Sequence, residues 1–197
     1  MPDAGADGRR EDDALPPGDY GLLVPDGWFR IPLEPGGWKG PVRALAERVF
    51  EGQDDTVLLK REFSRAVVAR AEEGYENGGV ELYISTTSVG PVPLSASLLV
   101  TVVPAEGDVR LEAKGRSQQI TEVDLPFAGP ATMRRTRSVP DAGDPTGNHL
   151  PVTVVDYAVR VPNTRAVLLL TFSTSLDPFV DAMVEMFDAV ARSLHWR

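Results

Sequence analysis

Cysteine is absent from all 197 residues, which excludes disulfides, thiolate metal sites, a cysteine nucleophile and a lipid-bearing cysteine together. Histidine is nearly absent: His149 and His195 are the two in the chain. Histidine catalysis needs a positioned partner, and nothing around either residue nominates one. None of G-x-S-x-G, H-E-x-x-H, G-x-x-x-x-G-K-[ST] or a strand-following G-x-G-x-x-G occurs, so the familiar hydrolase, metalloprotease and nucleotide-binding signatures are missing. The longest apolar runs, 98–103 and 166–172, fall far short of the ~18 residues of a membrane span. These absences set the expectation of a protein that is not an enzyme, carries no cofactor or metal, and does not enter a membrane.

What is present suits folding. Apolar residues make up 42% and charged residues 25% of the chain, close to globular averages, and a chain of this size can bury a substantial core in one domain. The net charge is −9, which repels phosphate backbones and anionic lipid and so speaks against nucleic acid as a partner. Six acids and two arginines within the first 20 residues give that stretch a charge of −4. Residues 1–19 hold almost no large apolar side chain and cannot offset their ordering entropy by burial, so they read as a disordered acidic arm ahead of one α+β domain over 20–197. The arm has no apolar h-region and no basic n-region, and a cytoplasmic location is expected by elimination.

Ordered structure is expected to begin with a hairpin, strands 20–24 and 28–33 around the turn Pro25-Asp26-Gly27. Pro41 suits a first helical turn, with Val42, Leu45, Ala46 and Val49 at helical spacing. Asp54 or Asp55 is placed to cap a second helix whose stripe is Leu59, Phe63, Ala66, Val67, Ala71 and Tyr75, ended by Asn77-Gly78-Gly79. The period then changes to two: Val80, Leu82 and Ile84 alternate with Glu81, Tyr83 and Ser85, and 94–103 is apolar on both faces, as a central strand requires. Residues 108–119 read equally as strand or helix. Strands are expected at 120–127, 131–139, 151–161 and 165–172, with the 151–161 strand buried on one face and wet on the other. Asp177 as N-cap and Pro178 at the first helical position open a closing helix with Phe179, Ala182, Met183, Met186, Phe187, Val190 and Leu194 on its apolar face, which is expected to dock on the sheet.

Three places invite a functional reading. Met133-Arg134-Arg135-Thr136-Arg137 is the one dense basic run; on a strand Arg135 and Arg137 share a face, so they either grip an acidic partner or balance neighbouring Asp and Glu. Trp38, set among Gly36, Gly37 and Lys39, is a candidate partner anchor, whereas Trp28 and Phe29 read as core. The loop 141–148 collects oxygen ligands but lacks the D-x-[DN]-x-[DN]-G spacing and twelfth-position Glu of a calcium loop, so it reads as a polar turn.

Val24-Pro25-Asp26-Gly27-Trp28, the 123–129 stretch VDLPFAG, the 169–175 stretch LLTFSTS and the 187–194 stretch FDAVARSL resemble those of the PsbP-like fold. That group includes the extrinsic photosystem II subunit, a Ran-binding import factor, actinobacterial lipoproteins and chaperones of secretion effectors. The resemblance implies an antiparallel sheet flanked by helices, an α/β/α sandwich with a long C-terminal helix on the sheet. It also implies a non-enzymatic module that binds another protein, as an adaptor or chaperone for a secretion or injection system in an actinobacterial member. A small-molecule-binding protein or hydrolase with an unrecognised site, and a structural subunit of an assembly, are the alternatives.

Overall fold

The computed structural model describes residues 15–54, 56–90, 92–104, 111, 118–139 and 150–197. The acidic arm up to residue 14, most of the ambiguous 108–119 stretch, and the 141–148 loop with His149 lie outside the described residues. The described elements run β1 (Tyr20–Gly21), β2 (Trp28–Pro32), α1 (Lys39–Val49), α2 (Val57–Glu76), β3 (Gly79–Ser85), β4 (Ser88–Val89), β5 (Val92–Pro93), β6 (Ala96–Pro104), β7 (Gln118–Leu125), β8 (Gly129–Ser138), β9 (Val152–Arg160), β10 (Ala166–Thr174), a 3-10 turn (Asp177–Phe179), α3 (Val180–Arg192) and β11 (His195–Trp196). Seven of the strands form one antiparallel sheet in the order β2-β3-β6-β10-β9-β8-β7. The chain is therefore α+β, with a large antiparallel sheet, three helices among the described residues, and a C-terminal helix on the sheet.

Strand alternation divides the core into two layers. Leu168, Leu170 and Phe172 of β10, Val155, Tyr157 and Val159 of β9, and Leu98 and Val100 of β6 point to the face covered by α3, which contributes Met183, Phe187, Val190 and Ala191. Successive side chains leave a strand on opposite sides, so Leu82 and Ile84 of β3 and Leu99 of β6 point the other way. They meet α1 and α2 through Val42, Leu45, Val67 and Ala71. Helix α2 lies close to the sheet at Gly74, where a Cβ would stand 3.1 Å and 3.2 Å from Leu33 and Leu99 methyl groups. At the neighbouring Gly79 a Cβ would come within 2.6 Å of the Gly74 carbonyl oxygen. These two glycines set how near α2 sits to β3.

The structure corrects the expected N-terminal hairpin. β2 pairs with β3, not with β1, and β1 pairs with β11 at the far end of the sequence, Tyr20 opposite Trp196 and Gly21 opposite His195. The turn exists, with Gly27 at φ 82° and the Trp28 N–H donating to the Pro25 carbonyl at 3.3 Å. Turn chemistry reverses the chain; burial of both faces of β3 decides which strand comes to lie beside it. The second face of β9 is not wet either. Asp156 is 4% and Ala158 7% exposed, and Leu111, from the β6–β7 connection, packs against Ala158 and Val167 there.

The stripe of α2 is rotated from expectation, whereas that of α3 holds except at its start. In α2 the buried residues are Val67, Ala71 and Gly74, while Leu59 and Tyr75 are exposed; Asp55, one of the two expected caps, lies outside the described residues, and the N-cap position falls on Thr56 rather than Asp54, without a side-chain cap bond. In α3 the burial centres on Met183, Phe187 and Val190, leaving Phe179 exposed, because residues 177–179 form a tighter 3-10 turn before the α-helix begins. No helix among the described residues is long and apolar enough to cross a membrane.

Candidate functional site

Three surfaces in the described residues carry chemistry or exposed apolar area, and the first is a groove on the α3 side of the sheet. Beyond the C-terminal end of α3 the sheet face is roofed by residues 17–20 and by β11, held together by the Gly18 N–H donating to the Arg197 carbonyl (3.0 Å) and the Arg197 N–H donating to the Asp19 carbonyl (2.9 Å). Beneath this strap lies a groove of about 380 Å³ with Val80, Val102, Leu168 and Trp196 among its walls. At its head sits Glu81, 9% exposed. Its Oε2 accepts hydrogen bonds from the Tyr20 hydroxyl at 2.9 Å and the Tyr83 hydroxyl at 2.7 Å. Its Oε1 accepts from the Arg30 Nε at 2.7 Å and also from Arg30 Nη2.

The local fold builds this cluster. A bulge between Gly79 and Glu81 inserts one extra residue into β3, and bulges re-aim side chains. Val80 is left 36% exposed while Glu81 and Tyr83 both face the α3 side, Glu81 opposite Val100 and Tyr83 opposite Leu98. Arg30 lies on β2 directly across from Tyr83, and Tyr20 reaches in from the strap. Burial, and after it the charge and hydrogen bonding of Glu81, push both tyrosine hydroxyls well above the ordinary tyrosine range. Desolvation works against the Arg30 charge, but the hydrogen bond and charge of Glu81 outweigh it and hold the guanidinium above its ordinary value. Each Glu81 oxygen already accepts from two donor atoms, so the carboxylate is occupied as an anchor.

The second surface is the first turn of α2. Val57, Leu58 and Leu59 are consecutive and 68%, 71% and 52% exposed. Beside them the α1–α2 connection forms an open depression of about 560 Å³ lined by Glu47, Arg48, Phe50 and Lys60, with the Lys60 ammonium 2.9 Å from a Glu47 carboxylate oxygen.

The third is the α3 side of β8, where the arginines of the basic run separate by face. Arg135 and Arg137 lie with Ala131 and Met133 on the α3 side and pair with an acid in the first turn of α3 and one in the 3-10 turn before it. Arg135 Nη2 is 3.1 Å from Asp181 Oδ1, and Arg137 meets the two Asp177 oxygens at 2.9 Å and 3.0 Å. Hydrogen bonding to Arg137 holds the Asp177 carboxyl below the usual aspartate range. Arg134 points to the opposite face and donates to the buried Asp156 at 3.0 Å and 2.7 Å, while the Thr171 hydroxyl donates to the other Asp156 oxygen at 2.9 Å. The Tyr157 hydroxyl donates to Asp188 on α3.

Trp38 is 6% exposed, in the layer beneath α1 and α2 with its ring 5.8 Å from that of Tyr75. Its buried indole N–H has no hydrogen-bond partner among the described residues. Trp38, Arg135 and Arg137 thus stand on different sides of the sheet and form no common site. His195 lies at the strap, its Nδ1 3.1 Å from the Ser193 carbonyl oxygen. No group of three or more His, Asp or Glu side chains among the described residues is arranged to hold a metal ion.

Glu81 went unnoticed in the sequence because, on an alternating strand, an acidic residue between apolar ones reads as the solvent face. The signal that could have found it is the Glu81-x-Tyr83 pair on a strand whose other face is also apolar. Compared with family models, curated proteins and solved structures, the chain matches none.

Proposed function

We propose that this chain is a non-enzymatic protein-binding module that docks its partner on the first turn of α2. The observation that carries the reading is the run Val57-Leu58-Leu59, more than half exposed at each position. Exposed apolar residues scattered singly are ordinary, but three in succession around the first turn of a helix are a cost that contact with another protein explains. Support comes also from the buried carboxylates: Glu81 and Asp156 are each consumed by arginine and hydroxyl donors, an arrangement that fixes geometry rather than moves protons. The resemblance to the PsbP-like fold, whose understood members mostly bind proteins, supports an adaptor or chaperone role in a secretion or injection system; that role rests on analogy of fold.

The test is affinity capture from the native host with the full chain and with Leu58→Glu. This substitution replaces a 71% exposed side chain and should alter stability by no more than about 0.5 kcal/mol. A protein retained by the parent and lost from the variant supports the reading. Equal retention refutes docking on α2, and no specific retention by either refutes the module itself.

A further inference from the structure

The groove under the strap has an occupant class written into its charges, independently of the α2 surface. Its walls carry the carboxylates of Asp19, Glu34 and Glu81 against the single guanidinium of Arg30. Arg30 is spent on Glu81, so that pair cancels and the two rim carboxylates remain. Asp19 and Glu34 are both exposed, and among the described residues neither forms an ion pair. Between them the floor is apolar, and Val80 and Val102, 36% and 37% exposed, lie on it uncovered. A cation with an apolar stem or apolar neighbours matches both features: its charge answers the rim, and its carbons cover the valines.

The backbone adds a second element of recognition. Leu33 donates to Val80 and Thr86 donates to Gly27 across the β2–β3 pair, so the odd-numbered positions of β2 bond β3. Alternation then turns the N–H and C=O of Arg30 outward, to the edge of the sheet. Pro32, two residues on, has no N–H and limits pairing along that edge. An extended segment paired at Arg30 therefore turns the paired residue, and every second residue from it, to the α3 face where the groove lies, and the residues between to the other face, the strand-addition mode of peptide recognition in its shortest form.

We propose that this groove docks an extended peptide segment bearing arginine or lysine at alternate positions, whose cations answer Asp19 and Glu34 and whose methylene stems run over Val80 toward Val102. The test is NMR titration of the isotope-labelled full chain at low ionic strength. The probes are acetyl-Val-Arg-Val-Arg-Val-amide and its counterpart with citrulline, the neutral isostere of arginine. The expected result is saturable shifts at the amides of Arg30, Val80 and Val102 and at the Trp196 indole. The arginine peptide should bind about two- to thirty-fold tighter than the citrulline one, the effect of two screened ion pairs. That preference should vanish in Asp19→Asn/Glu34→Gln, which leaves the citrulline peptide's affinity unchanged, and it should persist in Leu58→Glu. Equal affinity of the two peptides, a preference that survives the double substitution, shifts confined to 57–59, or no saturable shift with either peptide each overturns the proposal. Spermidine binding the groove as tightly as the arginine peptide overturns the commitment to a peptide.

Discussion

Replacing Phe187 by alanine removes the centre of the α3 layer, and the structure sets the size of the loss. The ring is fully buried and stacks on Phe172 at 4.9 Å and 21°, and Phe172 in turn meets the edge of Tyr157 at 5.9 Å. Val155, Leu170 and Leu98 around it are also at zero exposure, on strands paired on both sides, so the walls have little freedom to collapse into the space left. The cost should therefore fall in the range of about 3–5 kcal/mol for phenylalanine truncation in a core, toward its upper part because the aromatic stack itself contributes about 0.5–1.5 kcal/mol. In a chain of this length that corresponds to a drop in melting temperature of about 6–20 °C. Phe179→Ala is the matched control, the same chemistry on the same C-terminal segment at 55% exposure, with an expected change within about 0.5 kcal/mol. Urea titration followed by circular dichroism measures both, provided the slope is unchanged. A loss below about 1 kcal/mol for Phe187→Ala, or an equal loss for Phe179→Ala, would refute the assignment of the docked face.

Trp38→Phe removes a buried N–H that lacks an acceptor while keeping most of the ring, so it should change stability by no more than about 1 kcal/mol, against about 3–5 kcal/mol for Trp38→Ala; comparing the two urea midpoints checks this. Tyr20, Tyr83 and Tyr157 have hydroxyls raised above the ordinary tyrosine value of 10.0. Above about pH 10 the unfolded chain releases tyrosine protons that the folded one keeps, and stability should fall as pH rises further. Urea midpoints that stay flat through that range would contradict the hydroxyl environments. Asp177 is shifted downward by Arg137, so its contribution is present above the unfolded value of 3.8 and lost as the pH drops through and below it; Asp177→Asn should lack that part of the acid titration of stability. Gly79→Ala places a methyl against the Gly74 carbonyl and should lower the melting temperature clearly, whereas Gly36→Ala, with open space around it but φ at 75°, should cost less.

Local periodicity located most elements. The strands 152–160 and 166–174 and the closing helix follow from alternation and helical spacing because each buries one face or both against a fixed neighbour; 118–125 and 129–138 are found by β-propensity and turn signals, the first with only Leu125 buried. The helix ended by Asn77 and Gly78, with Gly78 at φ 82°, follows from backbone freedom that glycine alone supplies. Pairing was less legible. Nothing in Tyr20-Gly21 marks it for Trp196 rather than for the strand just beyond Gly27, since that choice is settled by residues far apart in sequence. The candidate site was least legible of all, because the Glu81 cluster draws one side chain each from the strap and β2 and two from β3. Arg135 and Arg137 were read onto one face of their strand, which is where they lie; that their neighbours on that face are Asp177 and Asp181 required the position of α3.

The pairing of β1 with β11 has a consequence for the order in which the molecule is made. Tyr20 leaves the ribosome long before Trp196 exists, so the strap has no edge to rest on until translation has passed the end of α3. Until then Leu168 and the Glu81 carboxylate lack the cover that Tyr20 and Trp196 give them, and any fragment that stops short of residue 195 lacks it too. The strap over the groove is thus completed only when both ends of the described chain are present, and its pairing reports that synthesis has passed α3.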